Sequence, residues 1–442
     1  MTISWWFFVV AIWGAAFTAL ALWTPRPPSF LVPMTFFAAW LTTELAVWHL
    51  LWQLVATIVF IALGALDAWP GWAGLAITAL SWTGLIAGLV AASRTDRAFE
   101  KALADALGPG WRDTIDPAWA PQRAGIEWAR MFSALRSKRR GIVRTRDLQY
   151  VDDGLRRHRL DVWRRDGVGP AAPVLLQIHG GGWMIGSKEQ QGRPLMYHLA
   201  DRGWVCVAIN YRLSPKATWP DHLVDCKLAL KWVREHIAEH GGDPGYVVVT
   251  GGSAGGHLTA MVGLTANRPE FQPGFEDVDT KVRAMVPFYG VFDFLDRHGF
   301  RGTAGPSFHR LAARHILKAH PDEQPEVFAQ ASPLDQVHRD APPALVVHGD
   351  LDLLAPVEEA RLFVERLRKV SEAPAVYVEL AGAQHAFEML PSIRALHTVT
   401  AVDAFLAWLL SRDGKSTDAA IAAAARANDT DEQTATTPSP NA

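Results

Sequence analysis

The sequence predicts a doubly wound α/β domain with a mostly parallel sheet, preceded by about three transmembrane helices. Two observations support this prediction. The first 92 of the 442 residues carry only three charged side chains, those of Arg26, Glu44 and Asp67. Beyond residue 144, short apolar runs alternate with helical patterns, which is typical of a parallel sheet covered by helices on both faces.

Three stretches near the amino terminus are long and apolar enough to cross a bilayer, which takes about 20 apolar residues. We expect these spans at about residues 3–23, 45–66 and 72–92. The region also holds ten of the nineteen tryptophans, several of them near segment ends, where their rings favour the membrane interface. Residues 1–92 are therefore predicted to be a multi-pass anchor, since cleavage of a signal peptide would leave two apolar segments behind.

Positive charge near the segment ends predicts the orientation of this anchor. Arg26 lies in the first loop, and Arg94, Arg97 and Lys101 follow the third span. A basic cluster comes next, formed by Arg130, Arg136, Lys138, Arg139, Arg140, Arg144 and Arg146. The alternation predicts an external amino terminus and a large carboxy-terminal part on the cytoplasmic side. Residues 93–144 are interpreted as a basic linker or cap helices, which lie on lipid or pack on the core.

Composition narrows the range of partners. The net charge of −2 gives no reason to expect nucleic-acid binding. The two cysteines, Cys206 and Cys226, are too few for a disulfide scaffold or a cysteine-based metal site.

Residues 145–410 contain the predicted α/β domain. Its strands are expected at Pro173–Ile178, Trp204–Asn210, Tyr246–Thr250, Val282–Tyr289, Ala344–His348 and Ala375–Leu380. Helical patterns are clearest at Pro220–His240, Val357–Val370 and about Ser392–Leu410. A polar insertion at about 293–340 interrupts the sheet late and is expected to cover the active site. Residues 411–442 are rich in Ala, Thr, Asp, Pro and Asn, which is typical of a disordered tail.

The most informative motif is Gly251-Gly252-Ser253-Ala254-Gly255, which contains G-x-S-x-G between a predicted strand and a predicted helix. In this context the serine occupies a sharp turn that exposes its hydroxyl as a nucleophile, and the glycines allow close backbone approach. A glycine-rich turn without chemistry is the alternative interpretation of the motif.

A second glycine run, His179-Gly180-Gly181-Gly182-Trp183, follows the first predicted strand of the domain. Such a run can direct several backbone N–H groups at the oxyanion that forms during ester hydrolysis. A phosphate-binding loop is the alternative, but the run contains neither G-x-G-x-x-G nor G-K-[ST]. Together with Ser253, the run is interpreted as an oxyanion loop.

A serine nucleophile needs a base and a carboxylate that orients the base. In this fold they follow the serine in the order acid, then histidine. His385 comes just after the strand Ala375–Leu380 and is the predicted base, whereas His397 lies within the last helix. Asp352, which follows the strand Ala344–His348, is the preferred acid, and Asp350 is the alternative.

These motifs together resemble those of the hormone-sensitive-lipase-like family of α/β-hydrolase carboxylesterases. The residues that carry the resemblance, which covers about 145–410, are His179-Gly180-Gly181-Gly182-Trp183, Tyr211-Arg212-Leu213-Ser214-Pro215, Gly251-Gly252-Ser253-Ala254-Gly255-Gly256 and His385-Ala386-Phe387. The resemblance implies a catalytic triad of Ser253, Asp352 and His385. It also implies an oxyanion hole formed by Gly181, Gly182 and Ala254, a helical cap, and ester substrates with short to medium acyl chains.

The sequence departs from the family at two positions: Gly252 stands where an acidic residue or threonine is usual, and Asp352 is followed by Leu353-Leu354 in place of Pro-Leu. The membrane segments are also additional to the common family pattern. The leading hypothesis is a membrane-anchored serine carboxylesterase or lipase that acts on ester or lipid substrates and needs no metal or organic cofactor. An amidase or deacetylase with the same triad, or a catalytically silent membrane scaffold, are the alternatives.

Overall fold

A computed structural model describes residues 2–24, 28, 30–121 and 141–415. In these ranges the helices are α1 (Ile3–Leu22), α2 (Val32–Glu44), α3 (Ala46–Ala62), α4 (Trp69–Ser93), α5 (Thr95–Leu107), α6 (Arg193–Asp201), α7 (Asp221–His236), α8 (Ala254–Leu264), α9 (Gly305–Leu311), α10 (Pro325–Ala331), α11 (Pro333–Gln336), α12 (Val357–Val370) and α13 (Ile393–Arg412). The strands are β1 (Ile142–Gln149), β2 (Arg159–Arg165), β3 (Ala172–Ile178), β4 (Val205–Ile209), β5 (Gly242–Gly252), β6 (Ala284–Phe288), β7 (Ala344–Gly349) and β8 (Ala375–Leu380).

The eight strands form one sheet in the order β1-β2-β4-β3-β5-β6-β7-β8. Strands β3 to β8 are parallel, and β1 and β2 join the edge in antiparallel pairing. Every residue of β3, β4 and β6 is buried, as expected for apolar strands with helices on both faces. The predicted doubly wound α/β fold is therefore confirmed, with two antiparallel edge strands that the sequence analysis did not identify.

The parallel sheet brings its functional loops to one edge. Ile178 at the end of β3 pairs with Gly251 near the end of β5, and Gly252 pairs with Phe288 at the end of β6. Farther along the sheet, Gly349 of β7 pairs with Leu380 of β8. Because parallel strands end at the same edge, the segments that follow these strands converge there.

The late insertion at 293–340 contains α9, α10 and α11 and packs on the side of the sheet where the second glycine run lies. The Phe294 ring is 5.2 Å from the Trp183 ring and 5.1 Å from the His257 ring. Phe294 in turn packs against Phe308 of the insertion, with ring centroids 5.6 Å apart. An aromatic cluster therefore fixes the insertion beside the second glycine run.

The amino-terminal helices form an apolar layer that contacts the α/β domain through α2. The Thr18 hydroxyl of α1 lies 2.7 Å from the Ser81 hydroxyl of α4, and the ring centroids of Trp5 and Trp69 are 5.3 Å apart. The middle segment is not one straight helix, since α2 and α3 meet at an angle of 87°. The predicted span at 45–66 corresponds to α3, and the chain before it turns sharply.

Among the described residues, three helical stretches are long and apolar enough to cross a membrane: Ile3–Leu22, Trp69–Leu107 and Ile393–Arg412. The third, α13, is 83% buried in the rest of the chain, so it is a core helix of the α/β domain. The bent pair α2–α3 passes the same test only when both helices are counted together. The first two stretches and the bent pair are the candidate membrane segments.

The chain remains packed beyond the predicted start of the tail at 411. Asp413 forms an ion pair with Arg283, and Lys415 Nζ lies 2.5 Å from Asp243 Oδ2. Most of the predicted tail, 416–442, and most of the basic cluster, within 122–140, lie outside the described residues. Of that cluster, Arg144 and Arg146 are described, and both lie on β1.

A buried ion pair joins α2 to α13. Glu44 Oε1 is 2.6 Å from Arg394 Nη1, and Glu44 Oε2 accepts a hydrogen bond of 2.6 Å from the Ser392 hydroxyl. The side chains of Glu44 and Arg394 are only 0% and 1% exposed. Removing one partner of such a pair leaves an uncompensated charge inside the protein.

We expect Glu44→Ala to lower the free energy of unfolding by about 3–5 kcal/mol, because Arg394 would remain buried without its counter-charge. Thermal denaturation of the full chain in detergent measures the effect. The matched control is Glu100→Ala on α5, which removes a 46%-exposed carboxylate paired with Arg112 and is expected to cost under about 1 kcal/mol. Equal losses for the two variants would contradict a structural role for the buried pair.

Candidate active site

Ser253 lies at the turn between β5 and α8 with φ +60° and ψ −123°. A residue with a side chain rarely adopts this left-handed backbone, which costs of order 1–3 kcal/mol. The turn is held on both sides, since Ser253 N donates to Phe288 O (3.0 Å) and Ser253 O accepts from His257 N (2.9 Å). The G-x-S-x-G motif thus adopts the strained strand-to-helix turn that the sequence analysis expected.

Glycines around Ser253 leave room for neighbouring backbone. A Cβ at Gly251 would lie 2.4 Å from the Ile178 carbonyl oxygen, and one at Gly255 only 2.2 Å from the same atom. Both are too close for a real carbon atom, so any larger residue would push β3 away from the turn. The two glycines therefore let the segment after β3 approach the serine.

The second glycine run lies directly beside the serine. A Cβ at Gly180 would be 3.0 Å from Ser253 Cβ, and the Gly180 N–H donates to Gln191 Oε1 at 2.6 Å. Gly181 and Gly182 both have positive φ, +116° and +58°. The Gly182 N–H donates to none of the described residues, and a Cβ on Gly182 would point into open space.

Ala254 is the first residue of α8. The first N–H groups of a helix have no partner within the helix and carry partial positive charge. The amide of Ala254 and the glycine run therefore flank Ser253, which is the arrangement that an oxyanion hole requires.

His385 and Asp352 meet after β8 and β7. His385 Nδ1 is 2.7 Å from Asp352 Oδ2, and both side chains are buried. The other carboxylate oxygen, Asp352 Oδ1, accepts the N–H groups of Leu354 at 2.7 Å and Ala355 at 2.8 Å. The carboxylate is thus fixed on one side by backbone and faces the imidazole on the other.

These contacts keep Asp352 ionised. Burial alone would raise its pKa, but electrostatic attraction and hydrogen bonds from the imidazole rings of His385 and His348 outweigh burial and hold the pKa well below its usual range. His348, to which sequence analysis assigned no role, places Nε2 3.1 Å from Asp352 Oδ2 and 3.0 Å from the Ala355 carbonyl. His348 therefore helps to position the carboxylate.

The rival residues lie elsewhere. Asp350 Oδ1 accepts the Gly382 N–H at 2.7 Å and so links the loops that follow β7 and β8. His397 lies within α13. His257 is a buried structural residue, since Nδ1 accepts from Trp183 Nε1 (3.2 Å), Nε2 lies 2.7 Å from the Ala331 carbonyl, and burial lowers its pKa to about 3.

Tyr289 and Glu388 are site residues that sequence analysis missed. A Cβ at Gly252 would lie 2.4 Å from the Tyr289 hydroxyl, so this hydroxyl fills the space beside the turn. The hydroxyl donates to Glu388 Oε2, and the Tyr289 ring centroid is 4.5 Å from that of His385. Burial raises the pKa of Glu388 to about 7.

The Tyr289–Glu388 pair gives a physical account of the departure at Gly252. An acidic side chain at 252 would collide with Tyr289, and Glu388 supplies a carboxyl group from the histidine loop instead. The sequence signal for this pair was Gly252, because a glycine beside the serine leaves space that a side chain from another segment can fill.

Helix α2 also reaches this site. The Phe36 ring lies edge-to-face against the His385 ring, with centroids 6.1 Å apart, and Trp40 Nε1 donates to the Ala386 carbonyl at 3.0 Å. In the sequence these residues lie within the predicted membrane anchor, residues 1–92, with no link to the histidine. The contact joins residues almost 350 positions apart, which no local pattern reveals.

Comparison with known proteins gives the family. The BD-FAE family model matches residues 160–367. A probable carboxylic ester hydrolase, LipM of Mycobacterium tuberculosis, is 46% identical over 335 residues, which cover 75% of this chain and 77% of LipM. Esterase LipQ of the same organism is 40% identical over 330 residues, covering 73% of this chain and 76% of LipQ.

Solved structures agree on the fold. A truncated carbohydrate esterase from gut microbiota superposes with a TM-score of 0.50 at 22% identity, over 60% of this chain and 96% of that protein. At this identity the likeness concerns the fold alone. The sequence relationship to LipM and LipQ, over three quarters of their length, places the chain in the hormone-sensitive-lipase-like family of α/β-hydrolase carboxylesterases, and it is a hydrolase of carboxylic ester bonds.

Proposed function

We propose that the protein is a membrane-anchored serine carboxylesterase or lipase that hydrolyses carboxylic esters through an acyl-enzyme on Ser253. The observation that carries this proposal is the 2.7 Å contact between His385 Nδ1 and Asp352 Oδ2. Tyr289 links this contact to the left-handed turn of Ser253, because its hydroxyl lies where a side chain on Gly252 would be and its ring centroid is 4.5 Å from that of His385. Similarity to LipM and LipQ supports ester substrates.

In this mechanism Asp352 holds the imidazole with its proton on Nδ1, which leaves Nε2 free to accept the Ser253 hydroxyl proton. Ser253 Oγ attacks the ester carbonyl carbon, and the negative charge moves to the carbonyl oxygen. The N–H groups of Gly181, Gly182 and Ala254 stabilise that oxyanion.

Collapse of the tetrahedral intermediate breaks the bond to the alcohol oxygen, which takes the proton from His385 Nε2. A water molecule then gives a proton to His385 and attacks the acyl-enzyme carbonyl. The second intermediate collapses as the bond between the acyl carbon and Ser253 Oγ breaks. Ser253 Oγ takes the proton from His385 Nε2, and the carboxylic acid leaves.

The apolar amino-terminal layer supports the membrane part of the proposal. Helices α1 and α4 and the bent pair α2–α3 would form the anchor, with the hydrolase domain on the cytoplasmic side, where Arg94, Arg97 and Lys101 follow α4. Esters with short to medium acyl chains, or lipid esters, are the proposed substrates.

Ser253→Ala is expected to lower kcat by about 10⁶, because the variant retains binding and the oxyanion donors but has no nucleophile. Turnover of p-nitrophenyl butyrate by the purified full chain measures the loss. Membrane insertion, measured by flotation with vesicles, should be unchanged. Turnover near the wild-type level would remove Ser253 from the mechanism.

Asp352→Asn is expected to lower kcat by about 10⁴, because an amide favours the wrong imidazole tautomer and does not stabilise the imidazolium ion. Asp350→Asn is the matched control, two residues away and in contact with Gly382 N rather than the histidine. Its kcat should stay within about a factor of two of the wild type. The reverse ranking in the same ester assay would assign the acid to Asp350.

A further inference from the structure

Helix α2 is fixed to the hydrolase domain at both ends of its buried face. Phe36 contacts the His385 ring, and Trp40 donates to the backbone of the next residue, Ala386. At the carboxyl end of α2, Glu44 is paired with Arg394 and accepts from Ser392. The helix therefore forms part of the wall around the proposed base and is more than a flexible tether to the anchor.

The opposite face of α2 is apolar and exposed. Met34 is 74% and Phe37 is 54% exposed. Phe30, Leu31 and Leu41 are also exposed. No charged residue occurs between Phe30 and Thr43. A contiguous apolar face of this kind marks a surface that meets another apolar phase.

The neighbouring helices identify that phase as a bilayer. Beyond the 87° bend, α3 also exposes apolar side chains, among them Leu51, Val55 and Ile58. Before α2 in the chain lies α1, a 20-residue apolar helix that is long enough to cross a membrane. If α3 enters the bilayer, an 87° bend directs α2 along the membrane surface, with its apolar face toward lipid.

We propose that α2 lies in the membrane interface and holds the active site against the bilayer, so that the enzyme takes esters dissolved in lipid. The substrate class is a carboxylic ester with an apolar chain long enough to partition into a membrane. This inference rests on the proposed function, because it assigns a source of substrate to the Ser253 site. In it, Phe36 lines the site, whereas Met34 and Phe37 contact lipid.

The experiment uses the full chain reconstituted in phosphatidylcholine vesicles and the double variant Met34→Ser/Phe37→Ser. We expect kcat/KM for p-nitrophenyl palmitate dissolved in the same vesicles to fall at least about tenfold, because the site would no longer be held against lipid. Hydrolysis of water-soluble p-nitrophenyl acetate should stay within about twofold. The matched control is Leu155→Ser, which replaces a 46%-exposed apolar side chain in the loop between β1 and β2 and should change neither rate.

Two results would overturn the inference. One is an unchanged rate on the vesicle-borne ester, and the other is an equal loss on both esters, which would make α2 a purely structural element. Labelling with a fluorophosphonate probe is measured in parallel on every variant. Failure of the wild type to label at Ser253 would refute the proposed function itself and is thus distinguished from failure of the membrane inference.

Discussion

The left-handed backbone of Ser253 is the constraint around which the neighbouring elements are arranged. That conformation persists only because β6 and α8 hold the turn on both sides through Phe288 O and His257 N. It also requires Gly251 and Gly255, whose missing side chains let Ile178 at the end of β3 approach. The same approach brings Gly180 against Ser253, so one strained residue places the glycine run, the sheet edge and the helix amino terminus together.

The sheet and the identities of the candidate residues were predictable because both leave local signals. Near-continuous apolar strands mark a sheet buried on both faces, and the loops after them converge by topology alone. Ser253, Asp352 and His385 each follow such a strand. The edge strands β1 and β2 escaped prediction because charged residues interrupt them, as in Arg144-Thr145-Arg146-Asp147, and hide the apolar pattern.

The remaining parts of the site depend on contacts between distant segments. Tyr289 fills the space left by Gly252, and its hydroxyl donates a hydrogen bond to Glu388 in the histidine loop. No sequence pattern near Gly252 indicates which side chain fills that space. The position of α2 is a similar case, because its apolar sequence is equally compatible with a membrane span and with the wall of a site. The buried Glu44–Arg394 pair decides between them only once the fold is known.

The contacts of α2 give the amino-terminal region a second role in addition to anchoring. An anchor that only tethers an enzyme needs no contact with its catalytic groups, whereas here Phe36 touches the His385 ring. The chain thereby couples the geometry of the proposed base to the helices that would enter the bilayer. The aromatic cluster of Trp183, His257 and Phe294 fixes another wall of the same site from the late insertion.

Trapping the acyl-enzyme tests the proposed serine mechanism directly. The full chain in detergent is mixed with p-nitrophenyl butyrate, quenched in acid during turnover, digested and analysed by mass spectrometry. An acyl-enzyme on Ser253 gives a single butyryl adduct on the peptide that contains this serine. Steady turnover with no adduct there, or with the butyryl group on another residue, would contradict that mechanism.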